Sequence, residues 1–453
     1  MKKNKLKIIA IFVTIIVSLY YFLNFTINRE EYRNLKSILS KEQKAFIKKY
    51  FFPHKNNLRN HRTTQDNFNE NYLFSELELK VKNSGKDIKT TKSNIRLSNL
   101  EILEKYNLNP GFYAGIHEIS PGSGYIDFFE NKLFILSSRG ILAFKKNLFD
   151  DTENFKQINN NIDEFIGLKQ FKKNKWFSLK DLMIYENKIF ISYTEEIKKN
   201  CWNTSVIYGK INLTNIRFKK LFSPKECIHS KKNIDMEFNA HQSGGRIISF
   251  DESSILLTIG DYRNRYLAQK KDSINGKIIK INLNNSKYNI ISMGHRNPQG
   301  LYFDKEKNFL LETEHGPKGG DEINLIQINQ TNSNEVLNFG WAIASAGEHY
   351  RKNETTYQKY PLFKSHEKYG FIEPLKSFVP SIGISEIVKV KKEQYVASSL
   401  KDRSIYFFEL DNQKIINFQR VEVFERVRDL KFYNDKLYLF LEDTSSIGVL
   451  NLK

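Results

Sequence analysis

Cysteine is nearly missing from this chain: Cys201 and Cys227 are the only two in 453 residues. That excludes a disulfide-dense scaffold and a multi-cysteine zinc site. Proline (9) and methionine (4) are scarce too. A basic stripe interleaved with aromatics, which nucleic acid would need, is also lacking. The formal charge is +20, but residues 1–60 hold 13 Lys or Arg against 3 Glu, so half the excess sits there. Elsewhere, lysine pairs such as Lys198-Lys199 and Lys231-Lys232 fall in turns and read as solvated surface. No nucleic-acid partner is expected. What is present is ordinary for a globular protein: 40% apolar and 27% charged residues, with 35 Phe and 23 Tyr to build a core. A wholly disordered chain, a collagen and a polytopic membrane protein are excluded. The length allows two to four average domains, or one large β or α/β domain with appendages.

Lys2, Lys3, Lys5 and Lys7 precede an uncharged run. Ile8 to Phe25 is 18 residues with only Thr14, Ser18 and Asn24 polar. At about 1.5 Å per residue it spans roughly 27 Å, close to the hydrocarbon core of a bilayer. Positive flanks stay cytoplasmic. The run ends in Tyr-Tyr-Phe-Leu-Asn-Phe, without a small-residue cleavage site or a lipobox cysteine. The expectation is an uncleaved signal anchor over 1–28. It makes the chain a single-pass protein of the inner (cytoplasmic) membrane, its main domain facing the periplasm. Residues 29–71 read as a juxtamembrane helix and linker, and 72–453 as the main domain.

From about residue 72, short β-branched and aromatic runs alternate with turn residues. "YIDFFENKLFILS", "LMIYENKIFISY" and "LKFYNDKLYLFL" look like copies of one hairpin. Repetition of an all-strand unit every 40–60 residues or so is the mark of a propeller. Six units are expected, centred near 135, 195, 265, 310, 400 and 440. The fold class is therefore all-β, a six-bladed β-propeller with an N-terminal transmembrane helix. Tyr72–Val81 is a candidate strand to close the ring. A β-sandwich is the competing reading.

Three segments break the pattern with dense Gly, His and charge: 240–269, "GHRNPQGLYFD" at 294–304 and "TEHGPKGGDEINLI" at 313–326, followed by "NFGW" at 338–341. Loops of this kind converge on one mouth of a propeller's channel. Taken together and in this order, they resemble the PQQ-dependent soluble glucose, aldose-sugar and sorbosone dehydrogenases. The likeness is strong over about 240–341 and weaker over 380–440.

The resemblance implies PQQ and Ca²⁺ as cofactors, a small sugar or alcohol as substrate, and an electron acceptor that the sequence does not name. It implies that His241 is the general base and Asp261 the acidic residue near it. Arg296 and Asn297 would contact the quinone end of PQQ, with Arg296 also stabilising charge there. Lys401, Arg426 and Arg428 would bind PQQ, and the carbonyls of Gly316 and Pro317 would hold the catalytic Ca²⁺. Glu322, with the carbonyl of Phe339, would hold a second, structural Ca²⁺. The chemistry suits these residue types. A planar tricarboxylate needs cations, the quinone needs polarising, and the alcohol needs a base near neutral pKa. Oxygen-only ligands suit Ca²⁺. His295 and His315 read as structural hydrogen-bonders.

The sequence also departs from the family. Ala240 stands where the glucose branch has Asp, and Tyr266 where it has a sugar-contacting Gln. No Gln aligns near Trp176–Asp181, and Gln170 is the nearest. The cofactor positions thus survive better than the sugar positions. Two alternatives to the dehydrogenase stay open: a non-catalytic envelope propeller that binds, and a Ca²⁺-dependent lactonase-type propeller. Cys201 and Cys227 flank one hairpin-like unit, so they are either bridged in an oxidising compartment or two independent buried thiols.

Overall fold

The computed structural model describes residues 87–108, 123–138, 140–166, 178–235, 237–328, 336–350 and 354–452. Among the described residues the chain lays down six sheets of four or five strands in order, besides one short pair of Asn159–Asn160 with Asn215–Ile216. Blade 1 is Gly124–Phe129, Lys132–Ser137, Leu142–Lys145 and Lys156–Gln157. Blade 2 is Leu179–Tyr185, Lys188–Lys198, Cys201–Lys210 and Lys219–Phe222. Blade 3 is Gly244–Asp251, Ser254–Ile259, Lys277–Asn282 and Tyr288–Met293. Blade 4 is Pro298–Asp304, Phe309–Glu314, Asp321–Gln327 and Lys376–Phe378. Blade 5 is Ile384–Lys389, Gln394–Ser399, Ser404–Asp411 and Lys414–Glu422. Blade 6 is Val427–Tyr433, Lys436–Leu441, Ser446–Asn451 and Ile102–Leu108, with Thr90–Arg96 outside. The first strand of each blade packs on the first strands of both neighbours, so six innermost strands ring a central channel. This is the six-bladed propeller that the repeats imply.

The repeated hairpins form for a local reason. Glu130-Asn131 and Asn434-Asp435 all have positive φ, as two-residue type I′ turns require. The turns join Phe129 to Lys132 and Tyr433 to Lys436. Alternation then sends one face of each blade into a core shared with the next. Tyr125, Phe134 and Phe144 meet Leu182, Ile191 and Tyr193 between blades 1 and 2. Met183 and Phe190 meet Ile247, Ile255 and Ile279 between blades 2 and 3. Six such seams close the ring.

The last seam corrects one expectation. Ile102–Leu108 pairs with Ser446–Asn451, placing Tyr106 opposite Ile447. Buried Lys105 forms an ion pair with Glu425 there. The closing strand is thus 102–108. The stretch 72–81 lies outside the described residues, as do the expected anchor (1–28) and linker (29–71). Among the described residues the α-helix Glu354–Lys359 has 6 residues, and no helix is long and apolar enough to cross a membrane. That finding overturns the single-pass, inner-membrane placement. Cys201 and Cys227 are bridged, with Cα atoms 5.3 Å apart. The bridge forms where Ile228–His229 pairs with Cys201-Trp202.

Candidate active site

Five of the six innermost strands carry an irregular register near one end. The shifts fall at Leu179/Asp181, Gly244/Ile247, Pro298/Gly300, Ile384/Ile387 and Val427/Asp429. A bulge frees one side chain from the two-residue alternation and re-aims it. The residues at these bulges are Lys180, Arg246, Gln299, Glu386 and Arg428.

Arg246 plugs the channel. Its Nη1 lies 2.6 Å from Asp181, 2.5 Å from Glu386 and 2.9 Å from Asp429, all four side chains being buried. Its Nε donates to the Gln299 carbonyl (3.0 Å). The carboxylates are also latched to neighbouring blades. Ile247 N–H donates to Asp181 (2.8 Å) and Ile126 N–H to Asp429 (2.8 Å). Burial raises the pKa of Asp181 to about 7 against the pull of Arg246, with Asp429 adding to the rise. Glu386 is pushed up to about 8 for the same reasons. A lactonase-type propeller would need these acids for a metal. Here a guanidinium already occupies the space among them, which counts against that reading.

Beside the plug, on blades 3 and 4, Asp261 and Arg296 meet. Asp261 Oδ2 accepts from Trp341 Nε1 (2.7 Å), and Oδ1 from Arg263 N–H (2.8 Å). With its amide oxygen turned toward the cations, Gln242 accepts from Arg296 Nη2 (2.8 Å) and Arg263 Nε (3.0 Å) and donates to Asp261 (3.0 Å). Burial raises the Asp261 pKa, and the Arg296 charge opposes the rise. Arg296 lies 5.3 Å from the centre of the Trp341 ring and donates to the carbonyls of His315 (2.8 Å) and Gly316 (2.6 Å). The 3-10 turn Ala240–Gln242 carries His241, whose N–H donates to Asn239 Oδ1 (2.8 Å). Lys180 Nζ donates to the Ala240 carbonyl (3.2 Å). This turn and the Asp261 loop touch because residue 260 is glycine: a Cβ there would sit 2.2 Å from the Gln242 carbonyl oxygen.

A second line of contacts runs to blade 6. Asn297 Oδ1 accepts from Gly244 N–H (3.1 Å) and from Gln299 Nε2 (3.1 Å). Gln299 Oε1 accepts from Arg428 Nη1 (3.3 Å). Arg428 and Arg426 then share Glu442, at 2.9 and 3.6 Å. Lys401 is exposed in the second loop of blade 5, its N–H bonded to the Ile382 carbonyl (2.9 Å). Pro317 carbonyl accepts from Ser381 Oγ (3.2 Å). Asp321 clamps this loop by accepting from Gly316 N–H (3.1 Å) and Gly383 N–H (2.6 Å). His315 is half-buried, bonds the Ile384 carbonyl through Nε2, and has its pKa lowered by desolvation. It is a structural hydrogen-bonder.

The structure therefore brings His241, Asp261, Arg296, Asn297, Gly316, Arg426 and Arg428 to one end of the channel through shared partners. Glu322 and Phe339 are not part of that array. They belong to a buried cluster beside His295 and His366 between blades 3 and 4. Sequence reasoning misses Lys180, Gln242, Arg246, Gln299 and Trp341. The expected glutamine loop near 176–181 is described only from residue 178. A cleft of about 590 Å³ beside the disulfide, bordered by His229, Asn233 and Tyr266, is a separate feature.

The Glucose / Sorbosone dehydrogenase family model matches residues 179–450. An uncharacterised protein, slr1608, of Synechocystis is 29% identical over 241 residues, 46% of this chain and 55% of that protein. The chain thus spans about half the length of that relative. The aldose sugar dehydrogenase YliI of Escherichia coli is 24% identical over 290 residues, 58% of this chain and 72% of that one. The PQQ-bound aldose sugar dehydrogenase of Streptomyces coelicolor has a similar fold, with a TM-score of 0.52 at 15% identity. That match covers 74% of this chain and 96% of that one.

Proposed function

Because the chain belongs to the glucose/sorbosone dehydrogenase family, we propose that it is a PQQ-dependent dehydrogenase of a sugar or related alcohol, working at the bulged end of the channel. One observation carries this reading. Arg296, Arg426 and Arg428 line up through shared partners at one end of the channel, with Lys401 exposed on blade 5. Such a set suits a flat anion with several carboxylates, since guanidinium forks pair with carboxylates bidentately. The PQQ-bound relative of the same fold supports it.

PQQ, when bound, supplies the hydride acceptor. The chain supplies the rest. His241, on its capped turn, takes the hydroxyl proton. Arg296 is fixed by the Trp341 face and by Gln242, and its positive charge would stabilise a reduced quinone bound beside it. Asp261 holds Trp341 and Gln242 in place and so acts as a positioning residue. Asn297 ties Arg296 to the blade 3 bulge through Gly244. Arg426 and Arg428, aligned by Glu442, and Lys401 would hold the cofactor's carboxylates. The backbone oxygens of Gly316 and Pro317, which here accept from Arg296 and Ser381, are the donors that would hold Ca²⁺, and the ion would polarise the quinone as a Lewis acid.

The test is reconstitution with PQQ and Ca²⁺, followed by dye reduction over a panel of aldoses and alcohols. Turnover with at least one sugar is expected. Absence of PQQ binding would refute the reading. Ala240 and Tyr266, at the diverged sugar positions, favour a second reading: a propeller that binds without turnover. Tight PQQ binding with no substrate able to reduce it would select that one.

A further inference from the structure

The loop that follows Ser254–Ile259 bends sharply at Tyr262 and Arg263, whose φ angles are 51° and 65°. Residues with a Cβ disfavour that region, so such a bend must be held by its surroundings. The turn that bears His241 holds it. Asn239 N–H donates to the Tyr262 carbonyl (3.1 Å), and Tyr262 N–H to the Gln242 carbonyl (2.9 Å). The buried Tyr262 is anchored at its hydroxyl by Thr204 Oγ1 (2.8 Å). Arg263 is thereby set beside the turn of the proposed base, and residues 239–242 of that turn carry no carboxylate.

Two arginines of this loop differ in how they are neutralised. Arg265 lies 2.9 Å from Glu237 and 3.4 Å from Asp235. Arg263 has no such pair. Its Nε donates to the Gln242 amide oxygen (3.0 Å), which also accepts from Arg296 Nη2 (2.8 Å), so two guanidiniums share one neutral acceptor. Its Nη1 stands 3.7 Å from Glu237, too far for a hydrogen bond, and Glu237 is already bonded to Arg265. Among the described residues no acceptor meets either Nη of Arg263. Burial and the Arg296 charge lower its pKa, whereas Glu237, Asp261 and Asp235 raise that of Arg265 against burial. The Arg263 side chain is 31% exposed, and its guanidinium carbon lies 5.6 Å from the ring centre of the exposed Tyr350.

A guanidinium fixed at Nε, open at both Nη atoms and crowded by a second cation suits an oxyanion. The carboxylates of PQQ do not account for it. The cations proposed for them, Lys401, Arg426 and Arg428, belong to blades 5 and 6, whereas Arg263 stands on blade 3 beside His241. We propose that Arg263 is a specificity-determining residue and that the substrate is an anionic sugar. Its carboxylate or phosphate would pair with Arg263 while a hydroxyl elsewhere on the ring faces His241. This inference rests on the dehydrogenase reading of the site.

The test uses the full-length chain loaded with PQQ and Ca²⁺. Dye reduction is compared for glucose, glucuronate and glucose 6-phosphate in wild type, Arg263→Gln and Arg263→Lys. At least one acidic sugar should exceed glucose in kcat/KM by about tenfold or more, and added salt should narrow the gap. Arg263→Gln should lower kcat/KM for that acidic sugar by about ten- to a hundredfold, chiefly through KM, and at least about tenfold more than for glucose. Arg263→Lys should recover part of the loss, since it keeps the charge and gives up the fork. The sugar with the larger loss identifies carboxylate or phosphate as the group that is read. Glucose preferred over both acids, or equal losses for glucose and the acids, would overturn the assignment. A loss of PQQ affinity larger than the loss for the acidic sugar would also overturn it, by giving Arg263 to the cofactor. Turnover of no sugar would count against the dehydrogenase reading itself. Heat of binding, with and without PQQ, then decides on Arg263: an acidic sugar that binds and is weakened by Arg263→Gln upholds its role, and absence of binding refutes it.

Discussion

Replacing Arg246 by methionine removes the cation that three carboxylates share and keeps most of the side-chain bulk. Asp181, Glu386 and Asp429 stay buried and retain their backbone N–H donors, with Lys431 as the remaining nearby cation. Breaking a buried ion pair by deleting one partner costs about 3–5 kcal/mol. The retained N–H bonds place this case near the middle, at about 4 kcal/mol at pH 8. For a body spanning 87–452, at about 2.1 cal/mol/K per residue, the unfolding entropy is roughly 0.8 kcal/mol/K. The melting temperature should therefore fall by about 5 °C. The deficit should depend on pH with a definite sign. Asp181 and Glu386 are acids with raised folded-state pKa values, to about 7 and about 8. For such a group the proton favours the folded state, so stability is gained as pH falls through the folded pKa toward the unfolded value near 4. Without Arg246 those pKa values rise further, and acid relieves the variant more than the wild type. Calorimetry at pH 8.5 and 6.0 should show a smaller deficit at 6.0. The exposed Arg217→Met, whose partner Glu164 lies 3.4 Å away, is the control and should cost under about 1 kcal/mol. A melting temperature for the Arg246 variant within 1 °C or so of wild type at pH 8.5, or a deficit that grows in acid, would show that the plug is not an ion-pair network.

Further outcomes are expected. His241→Ala should cut sugar-dependent dye reduction by about 10²–10⁴-fold while leaving PQQ binding intact, and undiminished turnover would mean that another group takes the proton. Arg428→Gln should weaken PQQ by about ten- to a hundredfold in a quinone absorbance titration, one charge-assisted bond being worth about 1.5–3 kcal/mol. Replacing both Cys201 and Cys227 by serine opens a loop with a sequence separation of 26 and should cost about 3.5 kcal/mol by loop entropy. Denaturant melts of the oxidised protein and the serine pair measure that difference. Trp341→Phe keeps the ring under Arg296 but strips the donor from Asp261, so kcat should fall more than PQQ affinity does.

Much of the ring was legible because its hairpins repeat a local code. Where two turn residues take positive φ between aromatic strands, as at Glu130-Asn131, the chain announces the hairpin without help from distant parts. The closing strand was not legible. Residues 72–81 and 102–108 alternate equally well, and only pairing with Ser446–Asn451 chooses between strands. Among the candidate site residues, those in dense loop motifs, such as His241, Arg296 and Gly316, stood out through the resemblance of those motifs to a known family. Arg246, Gln299 and Lys180 did not, because each sits in a bulge where the period of two fails. Trp341 was visible within "NFGW", but its bond to Asp261, 80 residues back, exists only in the folded ring.

Those bulges have an evolutionary consequence. A residue in regular alternation is answerable to two neighbours across the ladder and to a core on one side. The surplus residue of a bulge is answerable to neither. Lys180, Gln299 and Arg428 therefore form a keyboard on which single keys can be exchanged while the blades keep their register, whereas Arg246 and Glu386 are held by the plug. A lineage built on this ring can revise what its channel recognises one blade at a time. Its seams, which hold the stability, need not take part.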